Sequence, residues 1–508
     1  MPRKWILIFP LLLSALHSRA VAEVKSPWTE VRSPHFTIYT DAGEKRGRDI
    51  ALRFEQMRSI FASLTGEREL RTAPALKIVV FRNQKELQQV LAHKKGRTDE
   101  STIGLTLPGD YGTIIAFGLG IDDAWQTALH EFAHMLLHTN FPPTQLWFDE
   151  GFAEYYSTIQ VGDKEVVIGT EPNPYVTGTI LREKAWPGAV ELFSVNHKSA
   201  AYQQPGPPRD QFYAHSWVAV HYLFDTRKLA EAAKYFSLVN DRQVAIPDAI
   251  RQAFGESPQD LDGDIRSYVL GTKFKFLKAP LSVGIKAASF SAAPVDEWKA
   301  AAVIARLHSI SSEYLNQSIG EFQEVLQHDP GSADALSGLG LAYFLEKDYV
   351  KADETLRKEM SLQDGDPYAH YYWALVIAAK SPASTADWAQ LAEQAGSAVN
   401  VDPSNADAYF LLGKARMNLD QIVDAYKAMN AAVQLAPAEE RYSLGLAEVL
   451  LRGKRGDLAG PLLARLAKSS NKEIADQARK LQEGSAGTPQ QPSAAPAPKS
   501  APTPPSSH

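Results

Sequence analysis

A proline-ended dipeptide recurs through the second half of this 508-residue chain: Asp329-Pro330, Asp366-Pro367, Asp402-Pro403 and Ala436-Pro437, spaced 37, 36 and 34 residues apart. A period of this size marks one supersecondary unit, two helices and a turn, being repeated. Such a unit cannot bury its apolar face alone, so its neighbours must stack on it and the region must form an all-helical array.

The residues between these turns resemble the tetratricopeptide (TPR) repeat. From Ala406, the residues Tyr409, Leu412, Gly413, Ala425, Ala432 and Pro437 take that repeat's key places. From Ala333, Leu339, Gly340, Tyr343, Ala352 and Leu356 do the same, with Asp364 where proline is usual. A middle unit from Tyr368 is looser: Tyr372 and Leu375 fit, and Pro382-Ala383-Ser384 reads as an insertion. Helices around Trp298 to Leu326 and Glu440 to Leu481 would extend and cap the stack. The resemblance implies a solenoid whose concave surface holds a peptide or a partner protein.

The first half carries a different signal. Thr127 to Leu137 has helical apolar spacing and contains His130-Glu131-Phe132-Ala133-His134. Residues four apart on a helix lie one above the other, so His130 and His134 can bind one zinc ion at about 2.0–2.1 Å. Glu131 then stands beside the metal, placed to take a proton from a bound water. With 13 histidines in the chain, chance alone supplies such a motif a few times in about a hundred chains of this kind. Context has to decide. His138 continues the register one turn further and reads as packing or solvent-facing.

Ahead of this helix, strands and helices alternate. Phe36–Thr40, Leu76–Phe81 and Thr113–Phe117 read as strands, and Asp41–Leu64 and Gln84–Ala92 as helices, giving a small α+β layer. The third strand is either an ordinary strand or a sheet edge that holds an extended peptide by main-chain hydrogen bonds. Asp122 and Asp123 offer N-terminal caps for the motif helix, which should stop before Pro142-Pro143.

A catalytic zinc site needs a third protein ligand. After the prolines comes Trp147-Phe148-Asp149-Glu150-Gly151-Phe152-Ala153-Glu154. His-Glu-x-x-His followed by Trp-x-x-Glu-Gly-Phe-Ala resembles the gluzincin metallopeptidases, notably the aminopeptidase-N-like branch and its bacterial relatives. The resemblance implies an α+β zincin-like fold, one zinc per chain, and Glu150 as third ligand. Glu154 is the rival ligand by spacing; with Glu150 on the metal, it would accept the second N–H of a ligating histidine. The resemblance also implies a downstream donor for the tetrahedral oxyanion. Tyr213 is the candidate, with His215 behind it, on an amphipathic helix spanning Phe212 to Leu223. The Gly-x-Met-Glu-Asn motif that holds a substrate's amino terminus in aminopeptidases is absent, so exopeptidase specificity is not implied.

The ends and the composition complete the division. Met1-Pro2-Arg3-Lys4, the apolar run Trp5–Leu16 and Ala20-Val21-Ala22 read as a signal peptide over 1–22, the alternative being an uncleaved anchor. The chain is then exported, to the periplasm or outside the cell, with no stable membrane anchor after cleavage. No cysteine is present, which removes disulfides, thiolate metal sites and cysteine nucleophiles. A formal net charge of −6 gives no electrostatic case for nucleic acid. The expected domains are a zincin-like metallopeptidase at 23–276, a linker at 277–297, a TPR-type array at 298–482 and a disordered Pro/Ala/Ser-rich tail at 483–508. The expected function is zinc-dependent hydrolysis of a peptide or protein substrate, with a protein partner on the repeats. Its rivals are an inactive zincin-like scaffold acting through the repeats, and an intact zinc site acting on a non-peptide bond.

Overall fold

The structure is a computed structural model describing residues 27–66, 70, 76–90, 104–107, 114–120, 122–142, 144–161, 165–170, 187–204, 206–242, 244–271, 276–280, 286–309, 314–363, 365–437, 439–469 and 471–486. The expected signal peptide and all but four residues of the expected tail lie outside these. The chain divides into two compact units. One is Met1–Phe132, Ile159–Val167 and Lys278–Trp373; the other is Ala133–Thr158, Ile168–Leu277 and Ala374–His508.

The first unit is built on a sheet. Its strands are β1 (Trp28–Arg32), β2 (Thr37–Thr40), β3 (Lys77–Phe81), β4 (Gly104–Leu107), β5 (Ile114–Gly118) and β9 (Ser291–Val295), in the order β4-β5-β3-β2-β1-β9. β2, β3 and β5 run parallel, with Tyr39 opposite Val79 and Val79 opposite Ala116. Their sequences, Thr-Ile-Tyr-Thr, Lys-Ile-Val-Val-Phe and Ile-Ile-Ala-Phe-Gly, are largely apolar without alternation, the pattern of strands covered on both faces. Helix α1 (Glu44–Thr65) lies against β1 and β2, and its Phe54, Met57 and Phe61 are buried. α2 (Gln84–Val90) follows β3.

Two expectations are corrected here. β5 is an interior strand, hydrogen-bonded to β3 on one side and to antiparallel β4 on the other. It therefore cannot take a peptide along its edge; β4, which the sequence reading lacked, is the outer strand. The second correction concerns the expected linker. Residues 277–297 hold two strands, β8 (Leu277–Pro280) and β9, and β9 pairs along its whole length with β1, from Trp28 opposite Val295 to Arg32 opposite Ser291. Ser-Ala-Ala-Pro-Val has low strand propensity and a proline, which hides it in the sequence. An edge strand tolerates that proline because one side of it needs no ladder bond.

The motif lies on α3 (Asp122–Asn140), followed by α4 (Leu146–Ser157). β6 (Gln160–Val161) and β7 (Glu165–Ile168) join β8 in a small sheet. Then come α5 (Ala189–Ser194), α6 (Ala200–Gln203), α7 (Pro207–Asp225), α8 (Leu229–Phe236, continued by a π turn), α9 (Ile246–Phe254) and α10 (Pro258–Gly271). Within the second unit, Trp147, Trp217, Tyr155, Tyr156 and Tyr235 are fully buried. Trp147 stacks on Phe193 with centroids 4.0 Å apart, and Tyr155 on Phe224 at 4.5 Å.

The repeat helices are α11 (Glu297–His308), α12 (Leu315–His328), α13 (Ala333–Leu345), α14 (Tyr349–Glu359), α15 (Ala369–Ala379), α16 (Thr385–Val401), α17 (Ala406–Asn418), α18 (Ile422–Leu435), α19 (Glu440–Arg452), α20 (Gly456–Leu466) and α21 (Lys472–Ala486). In the first unit each of α11 to α14 packs on the next, and in the second each of α16 to α21 does. Small residues let the paired helices approach closely: a Cβ on Gly340 would lie 2.5 Å from Leu356 Cγ, and one on Gly413 2.7 Å from Met429 Cγ. Most of the chain is helical, and within each unit the C-terminal helices pack in sequence as pairs. α21 runs four residues past the expected start of the tail.

The first repeat helix belongs to the sheet's core. Ala300, Val303, Ile304 and Leu307 of α11 form one cluster with Trp28, Tyr39, Val79, Phe81, Leu87, Ile114 and Ala116. Lys77 of β3 bonds Asp334 of α13 and lies 3.9 Å from Asp366. Lys299 Nζ reaches Glu30 at 2.6 Å.

Candidate metal centre

α3 is amphipathic, and its buried face positions the motif. Phe132 is fully buried, edge-on to Phe54 at 5.0 Å and to Phe36 at 5.3 Å. This leaves His130, Glu131 and His134 half-buried on the helix. α4 supplies the carboxylate. Its Trp147 stacks on Phe193, and the Trp147 indole donates to Gln145 Oε1 at 3.1 Å, which also accepts from the Tyr235 hydroxyl at 2.7 Å. Gly151, next to the carboxylate, lets α4 lie close on α7: a Cβ there would sit 2.2 Å from the Ser216 carbonyl oxygen.

His130, His134 and Glu150 come together, one donor atom of each within 4.8 Å of the others. His134 Nε2 is 3.3 Å from Glu150 Oε2, and Glu150 is only 4% exposed. Glu154 stands one turn further along α4, half-buried, and is not part of this group. His138 stacks on His134 at 5.8 Å and lies 3.4 Å from Asp149 Oδ2. Burial favours its neutral ring, but the hydrogen bond to Asp149 and the charges of Asp149 and Glu150 outweigh that and raise its pKa.

Tyr213 and His215 both lie on α7, in different surroundings. Burial raises the Tyr213 phenol well above its usual range, and the Glu150 charge adds to this. The Arg209 guanidinium lies 5.5 Å from its ring centroid, and its charge opposes this rise. His215 is buried, and its Nδ1 donates to the Gln211 carbonyl of its own helix at 2.8 Å. Burial pushes this ring down to about 4 against that bond.

Two neighbours of Glu150 escaped the sequence reading. Tyr202, on α6, is near enough to feel the charge of the Glu150 carboxylate. Burial and the Glu150 charge push its phenol up to about 12. Its ring lies parallel to that of Tyr213, centroids 6.5 Å apart at 11°. Arg209 is the second. Both sit around Gln203-Gln204-Pro205-Gly206-Pro207-Pro208, a stretch with no periodic pattern that could have drawn attention to either.

No family model matches the sequence. Among curated proteins the chain is similar to the "BBSome complex member BBS4 homolog" of Drosophila melanogaster, 23% identical over 126 residues, 25% of each chain. The chain thus spans about a quarter of the length of the curated relative it matches. Among solved structures it is similar to YrrB, described as a TPR protein with an unusual peptide-binding site, at 17% identity and a TM-score of 0.32, covering 35% of this chain and 90% of that one. MamA (residues 41 to the end) from Desulfovibrio magneticus RS-1 is 20% identical with a TM-score of 0.29, covering 37% and 97%. A thermophilic TPR protein of Thermus thermophilus is 15% identical with a TM-score of 0.28, covering 37% and 99%. The repeat character of the C-terminal helices rests on their own recurrence and pairing: they are tetratricopeptide-like helix pairs.

Proposed function

We propose that the chain is an exported zinc-dependent peptidase of gluzincin type whose repeat helices recruit a substrate or partner protein. The observation that carries this reading is the convergence of His130, His134 and Glu150 from two helices, with donor atoms within 4.8 Å of one another. The donor set fits zinc: two imidazoles and one carboxylate, leaving a fourth position open. The 3.3 Å between His134 and Glu150 donors is the separation that two ligands at about 2.0–2.2 Å have on a tetrahedral ion.

When bound, zinc lowers the pKa of a coordinated water and polarises a substrate carbonyl. Glu131, adjacent to His130 on α3, accepts a proton as water attacks the carbonyl carbon and returns it to the departing amine. The outer strand β4 has no strand beyond it among the described residues, so an extended peptide can add to its free edge through main-chain hydrogen bonds.

The test is cleavage of casein and of a peptide library by the zinc-loaded full chain and by Glu131→Gln. Cleavage by the wild type alone is expected, the variant falling about 10²–10⁴-fold. Comparable turnover by both would overturn the general-base role.

A second reading, a protein-interaction scaffold without turnover, is favoured by the repeat helices. Absence of cleavage from a zinc-replete wild type would favour this second reading.

A further inference from the structure

We infer that Arg209, seated against the Tyr213 ring, is a specificity-determining residue that binds a substrate carboxylate about two residues from the bond that is cut. The inference rests on the metal-site reading above and gives it a substrate class: peptides that present an acidic side chain or a free C-terminus at that place.

Helix packing places Arg209. α4 and α7 run side by side in the same direction: Gly151 abuts Ser216 and Val220, and one turn on, Tyr155 meets His221 at 5.4 Å and Phe224 at 4.5 Å. Arg209, Tyr213, Ser216 and Val220 recur at i, i+4, i+7 and i+11, a single stripe of α7. The stripe that Gly151 abuts therefore continues toward the helix start through Tyr213 and then Arg209. Glu150 precedes Gly151, and helical side chains tilt toward the N-terminus, which sets its carboxylate near the level of Tyr213. Tyr213 and Arg209 both lie within reach of its charge. Burial falls along the stripe: Val220 and Ser216 are buried, Tyr213 is half-buried and Arg209 exposed. The stripe thus leads from the metal ligand out to solvent.

The chemistry of this place selects an anion. The Arg209 guanidinium lies 5.5 Å from the Tyr213 ring centroid, and the Tyr202 ring lies parallel to Tyr213 at 6.5 Å. No carboxylate among the described residues stands in ion-pair contact with Arg209, whereas Arg251 and Arg441 of the same unit each have one. Its helix gains nothing from the charge, because a cation in the first turn faces the positive end of the dipole. An aromatic ring occupies the face of a guanidinium and leaves its in-plane N–H groups, which match the two oxygens of a carboxylate. Glu150, engaged by the metal, does not compete for them. Arg209 stands four residues before Tyr213, about 6 Å along the axis, which about two extended residues of a substrate span.

The test uses the full chain carrying Glu131→Gln, stripped of metal and loaded with zinc, and three sets of fluorescent hexapeptides of one sequence. The first set carries a Glu scanned along the sequence and an amidated C-terminus. The second has Gln for that Glu and the same amide, and the third has Gln and a free C-terminus. Fluorescence anisotropy gives each Kd. At least one carboxylate set should bind about 10–100-fold tighter than the neutral set, the worth of a hydrogen bond to a charged group, and Arg209→Gln should remove most of that preference. Tighter binding of the Glu set identifies an acidic side chain, and of the free acid a peptide C-terminus. With Glu131 restored, Arg209→Glu should turn the cleavage preference from Glu toward Lys peptides, the change appearing in KM. Three sets bound alike, or a preference that survives Arg209→Gln, overturns the inference. Arg209 is exposed, and the wild-type preference decides even without a variant. Zinc uptake and cleavage without a carboxylate preference overturn the subsite alone, whereas a carboxylate preference in a chain that takes up no zinc overturns the metal reading and supports the subsite.

Discussion

Gly151 and Ser216 bring helices α4 and α7 into near contact, close enough that a Cβ on Gly151 would lie 2.2 Å from the Ser216 carbonyl oxygen. That atom is backbone and cannot swing away. Gly151 follows Glu150, so the same contact sets where the carboxylate stands relative to His134. Gly151→Ala should therefore destabilise the protein by about 1–3 kcal/mol, the range of core overpacking, and weaken zinc binding as α4 shifts. Denaturant unfolding and zinc titration of the variant check both. Wild-type stability and affinity would show that α4 has room to move.

Lys77 of β3 and Asp334 of α13 form a part-buried pair, each side chain about a quarter exposed. Removing one partner of a sealed pair costs about 3–5 kcal/mol; with water reaching this one, Lys77→Met should cost about 1–3 kcal/mol. Lys77→Met with Asp334→Leu should recover part of the loss, because no unpaired charge is then left at Asp334. A double variant no more stable than Lys77→Met would mean that Asp366, 3.9 Å away, is the partner that matters.

Glu359 of α14 is fully buried, and its Oε1 accepts the Asp366 backbone N–H at 2.6 Å. Burial pushes its pKa up to about 7, opposed by that bond and helped by the Asp366 charge. Its folded value thus lies above its unfolded one of about 4.5. Between these values the folded chain holds a proton that the unfolded chain has released, so stability falls as pH rises. The full contribution is present below about pH 4.5 and lost through about pH 7, with a slope up to about 1.4 kcal/mol per pH unit. Glu359→Gln should remove this slope. Equal pH profiles for variant and wild type would contradict the assignment.

The pairing of β9 with β1 changes how the repeats attach. A free linker would exchange its amides within seconds and be cut readily by proteases. Ser291–Val295 should instead show protection comparable to β1, since the two strands share a ladder. Fast exchange throughout this segment would restore the linker.

Much of this organisation is legible in the residues, for identifiable reasons. The repeat helices are announced by recurring turns, and α1 and α3 by apolar residues at strict helical spacing. The two histidines and Glu150 carry their chemistry in their side-chain types and their spacing. β9 was not legible because Ala and Pro carry no strand signal and its stability comes from β1 and from the cluster around α11. Tyr202 and Arg209 were not legible because tertiary packing of a short helix brings them within reach of the Glu150 charge, which no local pattern encodes. The same packing sets Tyr213, chosen for its place on an amphipathic helix, parallel to the Tyr202 ring.

Metal content of the reconstituted full chain tests the central claim most directly. Wild type should hold about one zinc per chain and His134→Ala with Glu150→Ala less than about a tenth of that. A wild type that holds no zinc after reconstitution, or a double variant that holds as much as wild type, would contradict a metal centre at His130, His134 and Glu150.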